Sequence, residues 1–410
     1  MDGKFSKQGQ KRGGELIMIK SVAELDLRDK TVFLRVDFNV PIDQGKITEP
    51  HRIESALPTI RLILERANKL VIASHLGRPD GKIVPKYSLA PVREYLENAL
   101  KQPVVLAPDC IGSEVERLVR DPAQQVVLLE NLRFHKEEEK NDPHFSQSLA
   151  ALADVYIDDA FGAAHRAHAS IAGMAKFFKT SKGAGLLLKK ELDYLSRVLL
   201  HPDKPFVTIL GGAKVSDKIG VIRNLLTRVD TLLIGGGMAY TFLKARGVEV
   251  GKSLLESDKI SLARELMKEA KEHGVTLLLP VDHVTGDAEK KNPQIAETQI
   301  ASDRMGLDIG PKTVAQFSDE IRDAKMVLWN GPVGLFEIEP YSQGSRALAN
   351  VLAETSSRVV SIIAGGDTVA AVTATGVADR ITHLSTGGGA TLEFLEGRDL
   401  PGIKALEELE

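Results

Sequence analysis

Short runs of Val, Ile and Leu alternate with longer amphipathic stretches along the chain. The apolar runs include Val32–Val36, Leu70–Ala73, Val126–Leu129, Val155–Ile157, Phe206–Leu210, Thr231–Ile234, Thr276–Leu279, Met326–Trp329 and Val359–Ala364. A run that is apolar at every position reads as a strand covered on both faces, and such strands separated by helices belong to parallel sheets. The pattern predicts an α/β protein of doubly wound, Rossmann-like lobes. The rhythm breaks over residues 186–205. There Leu188, Leu192, Leu195 and Leu199 keep helical spacing, and His201-Pro202-Asp203-Lys204-Pro205 ends the helix. A helix with a paired-proline stop predicts a connector, or hinge, between a lobe over 18–185 and a lobe over 206–384.

Length agrees with two lobes, because 410 residues exceed one ordinary core. The chain is 43% hydrophobic with a formal net charge of −3, so nothing global points to nucleic acid or membrane. Any anion binding has to come from local clusters. The one cysteine, Cys110, excludes an internal disulfide framework, fits a reducing cytoplasm and is expected to be a small, inert residue near the core. No apolar run approaches the ~20 residues that span a bilayer. Residues 1–17 carry Lys4, Lys7, Lys11 and Arg12 among glycines and polar residues, without a signal-peptide apolar region. They read as a disordered leader, with Met18 as a natural start.

Open α/β sheets bind ligands beyond the carboxyl ends of their strands. In the first half those ends are polar and basic: 35–41 (RVDFNVP), 74–81 (SHLGRPDG), 130–134 (ENLRF) and 159–168 (DAFGAAHRAH). Any one of these arginines could cap a carbonyl or pair with a nearby Asp. Arg or His at several equivalent positions predicts one convergent basic pocket, and guanidinium forks suit a small dianionic acid. His75 and His165 read equally well as structural donors.

The second half differs. The strand 206–210 runs into Gly211-Gly212-Ala213-Lys214-Val215-Ser216-Asp217-Lys218, where a helix is expected to open with two lysines four residues apart. Glycine admits close backbone approach, and helix-start amides with lysines concentrate positive charge, which suits a polyphosphate. A Gly-Gly turn is also ordinary strand-to-helix punctuation, and neither a Walker loop nor a dinucleotide fingerprint occurs. Further glycine-rich ends follow at 235–237, 330–334, 365–368 and 387–389. Asp367 falls at a helix start, where it could be an N-cap or could hold the Mg²⁺ that accompanies a nucleotide. Glu337 could bond ribose hydroxyls or face solvent.

These stretches, with LIGGGMAYTFLK at 233–244, MGLDIGP at 305–311, WNGPVG at 329–334, GGDT at 365–368 and STGGGA at 385–390, resemble phosphoglycerate kinase in order and spacing from about Met18 onward. The resemblance implies a cytoplasmic, monomeric, two-lobed enzyme. It interconverts 1,3-bisphosphoglycerate plus ADP with 3-phosphoglycerate plus ATP. It implies 3-phosphoglycerate contacts from Asp37, Asn39, Arg52, His75, Arg78, Arg133 and Arg166. Only the resemblance singles out Arg52. For the nucleotide it implies Lys214, Lys218, Gly236, Gly237, Gly306, Glu337, Gly365, Gly366, Asp367 and Thr368, with Mg²⁺ on Asp367. It also implies that residues 385–410 return to the first lobe.

In-line transfer needs positioning and charge stabilisation more than covalent chemistry. Arg52 and Lys214 are the expected stabilisers of the phosphoryl in flight, joined by Gly366 and by Gly388 within the 387–389 run. No general base is expected, because the attacking carboxylate is ionised at neutral pH. Sites on separate lobes imply closure. A nicotinamide-dependent dehydrogenase would share two α/β lobes, but the dinucleotide fingerprint is missing. A non-enzymatic polyanion binder would leave the glycine loops and Asp367 unexplained.

Overall fold

The computed structural model describes residues 10–12, 15–17 and 19–407. Within the stretch read as a disordered leader, Gln10–Arg12 pairs antiparallel with Glu15–Ile17; the rest of that stretch lies outside the described residues. The chain forms two compact units, one of Met1–Asp193 with Asp399–Glu410 and one of Tyr194–Arg398. The chain returns to the first unit only at Asp399, so residues 385–398 stay with the second. The reason is local: Asn224 Nδ2 donates to Leu395 O at 2.6 Å, which fixes the helix Gly389–Leu395 beside the helix Ile219–Leu225 of the same unit. The first crossing falls inside the helix Leu186–Leu200, where Leu188, Leu192, Leu195 and Leu199 are buried.

The first unit holds a six-stranded parallel sheet in the order Lys182–Ala184, Val155–Asp158, Thr31–Arg35, Lys69–Ala73, Val126–Leu128, Val105–Leu106. Its central strands are buried along almost their whole length, as their unbroken apolar composition requires. The helix His51–Arg66 covers one face through Ile53, Ala56, Leu57, Ile60 and Ile63, a spacing of three and four that makes one apolar stripe. The direction in which strands are added reverses at Thr31–Arg35. One neighbour is the next strand of this sheet along the chain, Lys69–Ala73, and the other is Val155–Asp158, so a crevice opens beyond Arg35 and Asp158.

The second unit holds another six-stranded parallel sheet, ordered Thr276–Leu278, Thr231–Ile234, Phe206–Leu210, Met326–Asn330, Val360–Ala364, His383–Leu384. The reversal here lies between Phe206–Leu210 and Met326–Asn330. Phe317, Ile321, Leu348 and Leu352 pack against Val207, Ile209, Val327, Trp329 and Ile363 to form its core. A three-stranded antiparallel sheet, with His283–Gly286 between Gln294–Ala296 and Met305–Ile309, is added to this unit.

Candidate active site

In the first unit the side chains beyond the crevice tie one another down. Asp37, just past the strand Thr31–Arg35, accepts from Asn39 N at 3.1 Å and from Arg52 Nη1 at 2.8 Å. Arg52 lies in the first turn of the helix His51–Arg66 and is half-buried. Asn39 Oδ1 accepts from Gly77 N at 2.9 Å, and Gly77 O accepts from Arg133 Nη1 at 2.9 Å. Gly77 has φ +62°, and a Cβ there would stand 2.3 Å from Tyr87 Cε1, so this turn needs glycine. Fully buried Asn131 staples the same loops: its Oδ1 accepts from Leu76 N and Arg133 N, and its Nδ2 donates to Leu76 O and Tyr87 O.

The structure therefore gathers Asp37, Asn39, Arg52, His75 and Arg133. Arg78, next to Gly77, and Arg166 are exposed at the edge of this group, Arg166 within electrostatic reach of Arg133. Burial pushes the His75 pKa well below its ordinary value; Arg35, Arg133 and Arg52 add to the shift and Asp37 opposes it. For Asp37, burial acts upward, but the charges of Arg52 and Arg35 and the hydrogen bond from Asn39 N outweigh it and hold the carboxyl below the usual range. His168 is likewise driven to about 3, by burial first and then by Arg133, Arg35 and Arg166. The pocket is thus a fixed set of arginine charges in which the histidines stay neutral.

Arg35, the last residue of the strand Thr31–Arg35, is not among the expected site residues. It is fully buried, donating from Nε to Ser170 Oγ at 2.7 Å and from Nη1 to Val36 O. A charged residue closing an otherwise apolar strand was the signal available. Cys110 is also buried: its thiol donates to Glu130 O at 3.0 Å, and burial pushes its pKa well up, in keeping with an inert thiol.

The second unit's loops are built from backbone. Gly211 and Gly331 approach so closely that a Cβ on Gly211 would meet Pro332 O at 2.2 Å. Gly236 has φ +64°, and its Cβ would meet the Gly212 backbone at 2.7 Å. The helix expected to open with the lysines begins later, at Ile219, with Lys218 as its N-cap and Lys214 in the preceding turn. The reason is Glu256, whose carboxylate accepts from Val215 N at 2.5 Å, Ser216 N at 3.2 Å and Ser216 Oγ at 2.6 Å. Lys214 is left exposed, while half-buried Lys218 donates to Asn330 Oδ1. Burial lowers the Lys218 pKa; Asp217, Asp367 and Glu396 oppose that shift. Asn330 Nδ2 donates to Ala364 O at 2.9 Å, and Thr368 Oγ1 accepts from Gly331 N at 2.7 Å, joining two adjacent strand ends.

Gly365, with φ +91°, is the N-cap of the helix Gly366–Thr373, and no side chain caps that helix. Asp367 sits exposed in its first turn, so the capping explanation does not hold and its carboxylate remains available to a cation. Around Gly366 a Cβ would meet nothing within 4 Å, leaving room over the helix amides. Gly388 similarly precedes the helix Gly389–Leu395 with φ +53°. Gly306 lies against Tyr240, whose Oη would be 2.1 Å from a Cβ. Glu337 is exposed in a turn tied to the Gly306 strand by Leu335 N donating to Leu307 O at 2.8 Å. Gly237 packs against Ala213 and Leu254.

A basic crevice in one α/β unit and glycine-walled strand ends in another agree with comparisons to known proteins. The profile of the phosphoglycerate kinase family matches residues 22–398. A phosphoglycerate kinase of Koribacter versatilis (strain Ellin345) is 54% identical over 398 residues, covering 94% of this chain and 98% of that protein. The chain belongs to the phosphoglycerate kinase family. A relative from Triticum aestivum named phosphoglycerate kinase, cytosolic, is 52% identical over 396 residues, 95% of this chain and 98% of that one. The solved phosphoglycerate kinase of Coxiella burnetii superposes with a TM-score of 0.84 at 42% identity, covering 95% and 99% of the two chains. Family membership carries the activity, that of a phosphotransferase with a carboxyl group as acceptor, working in glycolysis. Among the described residues no helix is long and apolar enough to cross a membrane.

Proposed function

We propose that the first unit of this phosphoglycerate kinase binds 3-phosphoglycerate or 1,3-bisphosphoglycerate, and that the second binds ATP or ADP with Mg²⁺. The observation that carries this division is the contrast in donors. Arg52, His75 and Arg133 lie buried or half-buried around Asp37 and Asn39 in one unit, whereas open helix amides stand beside Asp367 and Lys218 in the other. Arg78 and Arg166, both exposed, are assigned to the phosphate and carboxylate of the acid, which guanidinium forks can grip bidentately.

In the second unit Lys214 and Lys218 take the phosphate chain, and Gly236, Gly237 and Gly306 line the nucleotide. Glu337 takes the ribose, and Gly365, Gly366 and Thr368 face the phosphates. Asp367 would hold Mg²⁺, which supplies positive charge shared by the phosphate oxygens. The acid's carboxylate is ionised at neutral pH and attacks in line without a general base. Arg52, Lys214, Gly366 and Gly388 donate to the phosphoryl oxygens as their charge redistributes. Transfer requires a conformation in which the two ligands meet and water is excluded, with residues 186–205 as one bending link. The enzyme is expected to work as a cytoplasmic monomer. Coupled turnover with 3-phosphoglycerate and Mg-ATP tests the assignment: saturable formation of ADP supports it, and the absence of turnover contradicts it.

A further inference from the structure

Behind the acid pocket lies a buried chain of polar groups that the transfer step does not itself use. Glu138 is fully buried in the short helix Lys136–Glu139 and accepts twice from Ser170, from the backbone N at 2.9 Å and from Oγ at 2.5 Å. A serine hydroxyl has one proton. With that proton given to Glu138, the Ser170 lone pairs face Arg35 Nε, which donates at 2.7 Å. The Arg35 Nη2 lies 3.2 Å from His75 Nδ1. A guanidinium has no acceptor, so Nδ1 must be the lone-pair nitrogen of that contact and the proton of a neutral ring must sit on Nε2. His75 Nε2 is 3.9 Å from Asp37 Oδ1, too long for a hydrogen bond, so that proton is not consumed by Asp37.

We propose that Glu138, acting through Ser170 and Arg35, is a positioning residue that fixes His75 as the neutral Nε2–H tautomer, so that the ring presents a hydrogen-bond donor to an anionic oxygen of the acid substrate. The inference rests on the acid-site assignment above and adds what holds its histidine. The relay is buried from end to end, with Glu138, Ser170 and Arg35 fully buried and His75 nearly so, and a network in that setting is rigid only while every member is satisfied. The charges facing the ring are Arg35 and Asp37 from the strand Thr31–Arg35 and its end, Arg52 from the helix His51–Arg66 and Arg133 from the turn after Val126–Leu128. Burial first, and then three cations against one anion, keep the ring from taking a second proton.

Replacing Glu138 by Gln conserves shape but puts an amide donor where the carboxylate accepts. If its carbonyl keeps Ser170 N, its NH₂ confronts Ser170 Oγ, which then has two donors and no acceptor for its own proton. The test is a long-range ¹H–¹⁵N correlation spectrum of the full chain, with steady-state kinetics alongside. Wild-type His75 is expected to show a protonated Nε2 and a bare Nδ1 unchanged from pH 6 to pH 8, and to shift when 3-phosphoglycerate is added. Glu138→Gln is expected to mix the tautomers and to raise KM for 3-phosphoglycerate about tenfold with kcat nearly unchanged. Ser170→Ala gives the same reading if Glu138→Gln does not fold. A protonated Nδ1 in the wild type, or variants with wild-type His75 signals and KM, would overturn the relay. Wild-type signals indifferent to 3-phosphoglycerate would instead remove the acid-site assignment, and with it the role in binding.

Discussion

The pocket proposed for the acid, in the first unit, is made of side chains: Arg35 is bonded to His75, Arg52 to Asp37, and Arg133 to the Gly77 carbonyl, whose own N–H bonds Asn39. The pocket proposed for the nucleotide, in the second unit, is made of backbone: glycines packed against one another, open helix amides and an exposed Lys214. Both lie where strand order reverses in a six-stranded parallel sheet. On the proposed assignment, the difference follows from the guests. A small acid has few atoms and must be gripped by fixed charges, whereas a nucleotide is long and can lie along amides once side chains are out of the way. The first pocket is therefore sensitive to loss of a charge, and the second to gain of a Cβ.

The largest effect that would sharpen this contrast is at Arg52. Arg52→Ala is expected to lower turnover by about two to three orders of magnitude, the scale for losing a preorganised transition-state donor, while ADP affinity stays unchanged. Arg52→Lys should rescue little, since a point charge cannot replace a fork. Near-wild-type turnover in the alanine variant would remove Arg52 from the reaction. Next comes Asp367→Asn, expected to cost at least about tenfold in Mg-nucleotide turnover. The melting temperature should hold, because Gly365 is the cap. A variant that loses stability but keeps activity would return Asp367 to a structural role.

The glycines give a matched pair. Gly236→Ala meets positive φ and the Gly212 backbone, so destabilisation by roughly 1–3 kcal/mol is expected in urea unfolding. Gly366→Ala has open space and should melt no lower than wild type, yet raise KM for Mg-ATP if phosphate lies over that amide. Equal behaviour of the two would erase the distinction between glycine for the fold and glycine for the ligand.

The last effect is in pH dependence, outside both pockets. Burial pushes the Asp159 carboxyl up to about 7, with hydrogen bonds from Thr59 and Leu188 opposing. The folded state then holds a proton between about pH 4 and pH 7 that the unfolded chain has released. This contribution therefore makes stability fall as pH rises through that window. Asp159→Asn should reduce the stability difference between pH 4.5 and pH 7 by up to about 3 kcal/mol, measured by urea melts at the two pH values.

The interior strands were legible because a strand covered on both faces has to be apolar throughout, as at Phe206–Leu210. The edges were not. Lys182–Ala184 and His383–Leu384 are short and carry polar residues, and Val105–Leu106 has only two. The antiparallel sheet around His283–Gly286 escaped notice because Gln294–Ala296 is largely exposed and has no apolar run. Among site residues, Asp367 needed the structure to separate cap from free carboxylate, and the lysine loop needed Glu256, some forty residues on, to show why the helix starts late. Arg35 was ambiguous for the same reason, since its partner Ser170 lies 135 residues away.

Hydrogen exchange of the intact chain, read by peptide mass after separate additions of 3-phosphoglycerate and Mg-ADP, tests the division of labour most directly. The account predicts that 3-phosphoglycerate alone slows exchange around residues 37–39, 75–78 and 131–133. Mg-ADP alone should slow it around 211–218, 235–237 and 365–368. Protection of the same segments by both ligands, or of the second set by the acid, would contradict the assignment of acid to the first unit and nucleotide to the second.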